Sequence, residues 1–294
     1  MAEAPLGPKT ILVLGKMGFQ LGSLLAHGAY WEVDEAAVPP LWHKVAIKVI
    51  SKRKALEEEL RKLLPHQMQV LKGLCHKHLI TLYQGVETRM GFYLLMELAP
   101  SGSALERVQS PGPCSQGQAG LWFSQLLLAL AYLHSRAILH RDLKLENLLL
   151  DSKDNMKVSI SSFSRRLALQ EASGESRRAS PHAGLPAKAA LSQTFCGSYA
   201  HACPEILQAQ PYSPFLADTW STGVILYALL LGCIPFDATN LRCLLHQAQQ
   251  PPRPRTEVIL RLLCPVRRHL SAIELLRTRW VSWFLPPGHL PLGT

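Results

Sequence analysis

Apolar residues recur along the chain with two different spacings, and the change from one to the other divides it. From Leu21 to Ile50, and again in LITLYQGVE (79–87) and GFYLLMEL (91–98), short runs rich in branched and aromatic residues predict β-strands, with HKVAIKVI (43–50) the clearest. Residues 52–72 instead carry charged and apolar positions at helical spacing, and Pro65 suits the first position of a new helical segment. After about Pro100 the pattern changes. GLWFSQLLLALAYLHSR (120–136) and DTWSTGVILYALLLGC (218–233) are apolar on nearly every face and predict buried helices. A β-rich first part therefore precedes a helix-rich second part, with the boundary near Ala99–Gly102. Residues 1–20 read as a loose leader, and the small, polar stretch 171–190 as a loop. PPRPR (251–255) has the spacing of a PxxP ligand but reads more simply as a proline-rich loop. There is no internal repeat.

Composition narrows this picture. The 294 residues are 48% hydrophobic and 18% charged, enough for one large domain or two lobes and unlike a disordered chain. The net charge of +10 is scattered, as in Lys52-Arg53-Lys54, Arg177-Arg178 and Arg267-Arg268, which reads as solvated surface and not as a nucleic-acid interface; an acidic partner is the sharper alternative. Seven cysteines show no paired spacing, which argues against a zinc site or a disulfide framework and for a reducing compartment. The N-terminus lacks a signal-peptide pattern, and the longest apolar stretch, Gly223 to Phe236, is too short to span a bilayer. The expectation is a cytoplasmic, monomeric protein that engages no membrane.

The chemistry lies in VAIK (45–48) on a strand and HRDLKLEN (140–147) after a long helix, followed by CPE (203–205) and DTWSTG (218–223). A lone lysine or aspartate would read as surface; Lys48, Asp142, Lys144 and Asn147 at these spacings do not. Together they resemble the protein-kinase signature set, over Leu21 to Phe284. GFQLGSLL (18–25), KLLPHQMQVL (62–71), SFSRRL (162–167) and SQTFCGSYAHACPEIL (192–207) resemble the testis-specific serine kinases in particular.

The resemblance implies an α+β, bilobal protein-kinase fold. A small β-rich N-lobe (21–99) with one helix would precede a larger helical C-lobe (102–284) and a tail (285–294). It implies ATP as cofactor and a protein as substrate. Lys48 would pair with the α/β-phosphates, Asp142 would accept the hydroxyl proton, Lys144 would sit near the transferring phosphate, and Asn147 would bind a metal. Leu25, Gly28, Val33, Ala46 and Met96 would line the nucleotide site. Asp218 would tie back to the catalytic loop, and Glu205 would pair with an arginine near 267–268, strict alignment landing on His269.

Several positions depart from the family pattern. Gln67, nineteen residues after Lys48, replaces the glutamate that would hold that lysine. Ile160, eighteen residues after Asp142, replaces the metal-holding acid; a register shifted by two places Ser162 there, and neither reading supplies a carboxylate. The glycine-rich loop reads Ala26-His27-Gly28-Ala29-Tyr30-Trp31-Glu32-Val33, so Ala26 adds a Cβ and Trp31 is bulky where a small residue is usual. The stretch between Asn240 and Arg267 is short for the family, which puts a docking surface in question. Magnesium, a hard cation that needs oxygen ligands, loses its main anchor. The expected role is a catalytically impaired kinase that scaffolds or regulates an active kinase or its substrate. A working kinase with an unusual metal arrangement, and a drifted chain without a settled function, remain the alternatives. In the long segment before CPE, Ser180 follows two arginines as a phosphoacceptor would, and Thr194 falls where the family carries its activating threonine.

Overall fold

The computed structural model describes residues 14–15, 18–28, 31–38, 43–52, 70–160, 164–167, 191–193, 195, 197–250, 257–263 and 270–286. The chain forms two compact units. The first ends at Ala99; the second begins at Pro100 and also takes in His76–Leu79.

The first unit is built on five strands: β1 (Gln20–His27), β2 (Trp31–Val38), β3 (His43–Ser51), β4 (Leu82–Glu87) and β5 (Gly91–Glu97). They form one antiparallel sheet in the order β1-β2-β3-β5-β4. Because side chains alternate across a strand, the register sorts VAIKVI into two sets. Val45, Ile47 and Val49 pack with Ala36 and Tyr93 on one face. Ala46, Lys48 and Ile50 point to the other, where Ile50 packs with Phe92 and Leu94. Leu14 is 1% exposed within the first of these clusters. The packed core therefore reaches back into the segment expected to be a loose leader. A single buried leucine, with no periodic run around it, left no pattern to read.

The second unit is mainly helical. Its centre is the helix α2 (Gln116–Ser135), which follows a short α1 (Ala104–Gln109). Ser115 caps α2 by accepting the Gln118 N–H, and Trp122, Phe123, Leu126 and Leu130 are fully buried. Two short strand pairings follow: β6 (Ile138–Leu139) with β9 (Arg165–Arg166), and β7 (Leu148–Leu150) with β8 (Met156–Val158). Then come α3 (Pro204–Leu207), α4 (Pro214–Leu231), α5 (Leu241–Gln249), α6 (Glu257–Leu262), α7 (Ala272–Leu276) and α8 (Arg279–Ser282).

One expectation changes here. Pro214–Leu231 is long and apolar enough to cross a membrane by length and composition, whereas the sequence pattern had suggested no stretch of that size. Most of it is buried inside the fold, as the core helix of a globular domain is. The helix starts earlier than the apolar run because Pro214 suits a first turn, and it ends on Gly232, whose φ of 78° is the left-handed conformation a terminating glycine adopts. The short stretch after Asn240 also holds helices: Asn240 caps α5 by accepting the Arg242 and Cys243 N–H groups, and α6 follows.

Candidate active site

In the second unit the loop after β6 carries Asp142, Lys144 and Asn147. The loop is held by one buried acid, Asp218 of α4, which is 3% exposed. Its Oδ2 accepts the His140 N–H at 2.9 Å and the His134 ring nitrogen Nε2 at 3.1 Å; its Oδ1 accepts the Arg141 N–H at 2.8 Å. Arg141 has φ of 67°, a conformation that costs an ordinary residue energy, and the Asp218 bond fixes the backbone where that cost falls. Burial alone would raise the Asp218 carboxyl, but the hydrogen bond and charge of His134 and the groups of His140 hold it below the usual carboxylate range.

His140, fully buried, bridges two strands of this loop. Its Nδ1 accepts the Asp142 N–H at 3.3 Å and its Nε2 lies 2.9 Å from the Ser159 carbonyl, so a neutral ring protonated at Nε2 satisfies both. Ser159 in turn donates its N–H to the Asn147 carbonyl at 2.8 Å.

The three catalytic candidates stand together. Asn147 Nδ2 donates to the Asp142 carbonyl at 2.7 Å and to Asp142 Oδ2 at 3.0 Å, leaving the amide oxygen as the acceptor end. Lys144 Nζ lies 3.9 Å from Asp142 Oδ1. Ile160 directly follows Ser159, so its backbone is anchored beside Asn147 by the bonds just described, and its side chain is hydrocarbon. Asp151 and Asp154 are spent on the β7–β8 turn: Asp151 Oδ1 accepts the Lys153 and Asn155 N–H groups, and Asp154 has φ of 62°. Among the described residues no three His, Cys, Asp or Glu side chains are grouped to hold a metal ion.

A small cavity beside Asp142 is lined by Arg141, Ser198, His201, Tyr212 and Ser221. His201 is 9% exposed, and neither ring nitrogen has a hydrogen-bond partner among the described residues. Burial, and secondarily the Lys144 ammonium, pushes it down to about 4. Sequence reasoning passed over His201, because nothing in CGSYAHACPE marks which side chain turns inward. Glu205 is buried, and neither carboxylate oxygen has a hydrogen-bond partner among the described residues. Burial raises its pKa, against a weaker opposing effect of its own backbone and the Cys203 thiol. The expected arginine partners at 267–268 lie outside the described residues, as do Gln67, Ser162, Ser180 and Thr194.

In the first unit the strand register gathers four of the nucleotide candidates onto one face. Val33 is opposite Lys48, and Ala46 is opposite Met96. Ala26 pairs with Val33, whereas Leu25 falls in the irregular stretch between Leu24 and Ala26 and is 45% exposed. Trp31, opposite Ile50, shares the face of Lys48. The Lys48 Nζ sits over the Trp31 ring, 4.6 Å from its centroid. Gly28 donates its N–H to the Trp31 carbonyl at 2.8 Å, and the indole lies against it so closely that a Cβ there would be 2.6 Å from Nε1.

An antiparallel five-stranded lobe joined to a helical lobe, with a strand lysine in the first and an Asp-Lys-Asn loop tied to a buried aspartate in the second, defines a bilobal protein-kinase domain. The profile of the protein kinase domain family matches residues 19–272. Testis-specific serine/threonine-protein kinase 4 of Homo sapiens is 43% identical over 288 residues, covering 94% of this chain and 87% of the relative. Testis-specific serine/threonine-protein kinase 1 of Homo sapiens is 38% identical over 282 residues, covering 92% and 73%. Testis-specific serine/threonine-protein kinase 3 of Homo sapiens is 38% identical over 271 residues, covering 90% and 94%. The chain belongs to the protein kinase family and, within it, to the testis-specific serine/threonine kinases. Protein kinase domains in general use ATP and magnesium and act on protein substrates.

Proposed function

We propose that this chain is a testis-specific-type kinase domain with impaired phosphotransfer, which acts by binding an active kinase or its substrate as scaffold or regulator. It works as a cytoplasmic monomer. One observation carries the reading. The backbone at Ser159–Ile160 is anchored to His140 and Asn147, so the position that should present a metal-holding carboxylate is in place and presents isoleucine.

Magnesium does not fit this donor set. The ion takes six oxygens in near-octahedral order, usually one or two of them carboxylate. Here the Asn147 amide oxygen stands beside Asp142, whose Oδ2 already accepts from Asn147, and Ile160 offers nothing. What the loop does retain is orientation. Asn147 and Lys144 hold the Asp142 carboxylate, which suits it to accept a hydrogen bond from a serine or threonine hydroxyl of a docked protein. That retained group favours the second reading, an active serine/threonine kinase with atypical metal binding.

Phosphotransfer to a generic protein substrate separates the two. Losing one charge-stabilising group costs about 10² to 10³ in rate. Ile160→Asp combined with Gln67→Glu is therefore expected to raise the rate by about 10²-fold or more over wild type. In parallel, magnesium should add little to the melting-temperature rise produced by ATP. A wild-type chain that transfers phosphate readily, and loses this with Asp142→Asn, overturns the impaired reading in favour of the second.

A further inference from the structure

We infer that Trp31 occupies the phosphate end of the nucleotide face, so that this lobe takes an uncharged, flat nucleoside in preference to a nucleoside triphosphate. The inference rests on reading the Val33–Ala46–Lys48–Met96 face as the nucleotide face. It does not depend on whether the chain transfers phosphate.

Three observations converge. First, position: in the antiparallel β2–β3 pair Trp31 faces Ile50 and Val33 faces Lys48, so the indole and the lysine are diagonal neighbours on one face, within reach of long side chains. Second, contact: the ammonium lies 4.6 Å from the indole centroid, where the ring's negative face satisfies a cation. Third, fit: the indole is seated on Gly28, where any Cβ would stand 2.6 Å from its Nε1 and Cε2. The glycine retained from the loop pattern thus makes room for a ring of this chain's own.

The indole is also anchored. Trp31 packs against the cluster of Ile50, Phe92 and Leu94. A phosphate approaching Lys48 from this face would have to turn the ring off both Gly28 and that cluster, returning apolar surface to water. A tryptophan carries a large apolar area, so the displacement opposes binding of the charged end while leaving the surface of Val33, Ala46 and Met96 as it is. An adenine-type ring needs only that surface.

The test is titration calorimetry in EDTA, so that magnesium is not a variable, with ATP and with adenosine as probes. Four proteins are compared: wild type, Trp31→Phe, Trp31→Val, and Trp31→Val with Lys48→Met. Wild type is expected to bind adenosine at least as tightly as ATP. Trp31→Val is expected to tighten ATP at least tenfold, with adenosine changed less than threefold, and Lys48→Met is expected to remove that gain. Trp31→Phe keeps a ring against the cluster and so remains folded even if the valine variant does not; it should show a smaller gain in the same direction. Wild type binding ATP tenfold tighter than adenosine, or no tightening of ATP in either single variant, overturns the inference. Failure of the impaired-kinase reading would appear separately, as wild-type phosphotransfer.

Discussion

The catalytic loop of the second unit and the β1–β2 turn of the first both derive from signature motifs, yet they have fared differently. Around Asp142 the polar network that holds the backbone is kept: Asp218 holds two backbone N–H groups and His134, His140 spans two segments, and Asn147 orients the acid. At the β1–β2 turn the glycines are reduced to Gly28, and an indole lies on it. The difference follows from what each residue does for the fold. Asp218 and His140 satisfy buried backbone groups, so their loss would leave unpaired donors in the core. A carboxylate at Ile160, or a small residue at Trp31, serves a ligand and holds no backbone. Replacing it leaves folding intact.

The sharpest way to break this comparison is Asp218→Ala. It would strand two backbone N–H groups and the His134 ring, and is expected to cost about 3–5 kcal/mol of stability. Lys48→Met, in the other lobe, is expected to cost no more than about 1 kcal/mol. Thermal and urea unfolding of the two variants check both numbers. Equal losses would mean that Lys48 is as structural as the loop anchor.

A smaller effect concerns Asp34, which is 4% exposed and shares its face with the Val45–Ile47–Val49 cluster. Burial, then the charge of Glu32, raises its pKa to about 6. A raised folded pKa means that the native state holds a proton that the unfolded chain gives up. The stabilising contribution is therefore full below the ordinary carboxylate range and is lost as pH rises through about 6. Asp34→Asn is expected to raise stability by about 1–2 kcal/mol at pH 7 and to change it little near pH 4. Melting curves at the two pH values decide this, and a variant that gains equally at both would show that the charge is not the cause.

The smallest expected effect is at Glu205. An ion pair with arginine would make Glu205→Gln costly at neutral pH. The buried carboxylate, raised by desolvation and without a hydrogen-bond partner among the described residues, leads to the opposite expectation. Its stabilising contribution, like that of Asp34, is present at low pH and fades as pH rises. Glu205→Gln should therefore gain on wild type as pH rises above the ordinary carboxylate range, and melting curves at low and neutral pH check this. A fall of several degrees on substitution would instead show that an arginine neutralises it.

The sequence by itself determined the fold class, the division near Ala99 and the membership of the Asp142 loop, because these depend on period and on spacing along the chain. VAIKVI alternates as a strand must, and HRDLKLEN occupies one short loop whose residues meet wherever it is placed. The absence of an acid at position 160 was equally legible, since an isoleucine side chain has no donor atom in any conformation. What only the tertiary structure decided depends on partners distant in sequence. Asp218 reaches back over seventy-seven residues to the Arg141 N–H, and Leu14 finds its place in a cluster formed by three strands. His201 and Glu205 turn into the interior, though neither carries a pattern that says so. The meeting of Trp31, Gly28 and Lys48 lies between these cases. The spacing of Trp31 and Val33 places the indole on the face of Lys48 once the strands are paired, but the seat on Gly28 is a matter of packing, which only the folded chain defines.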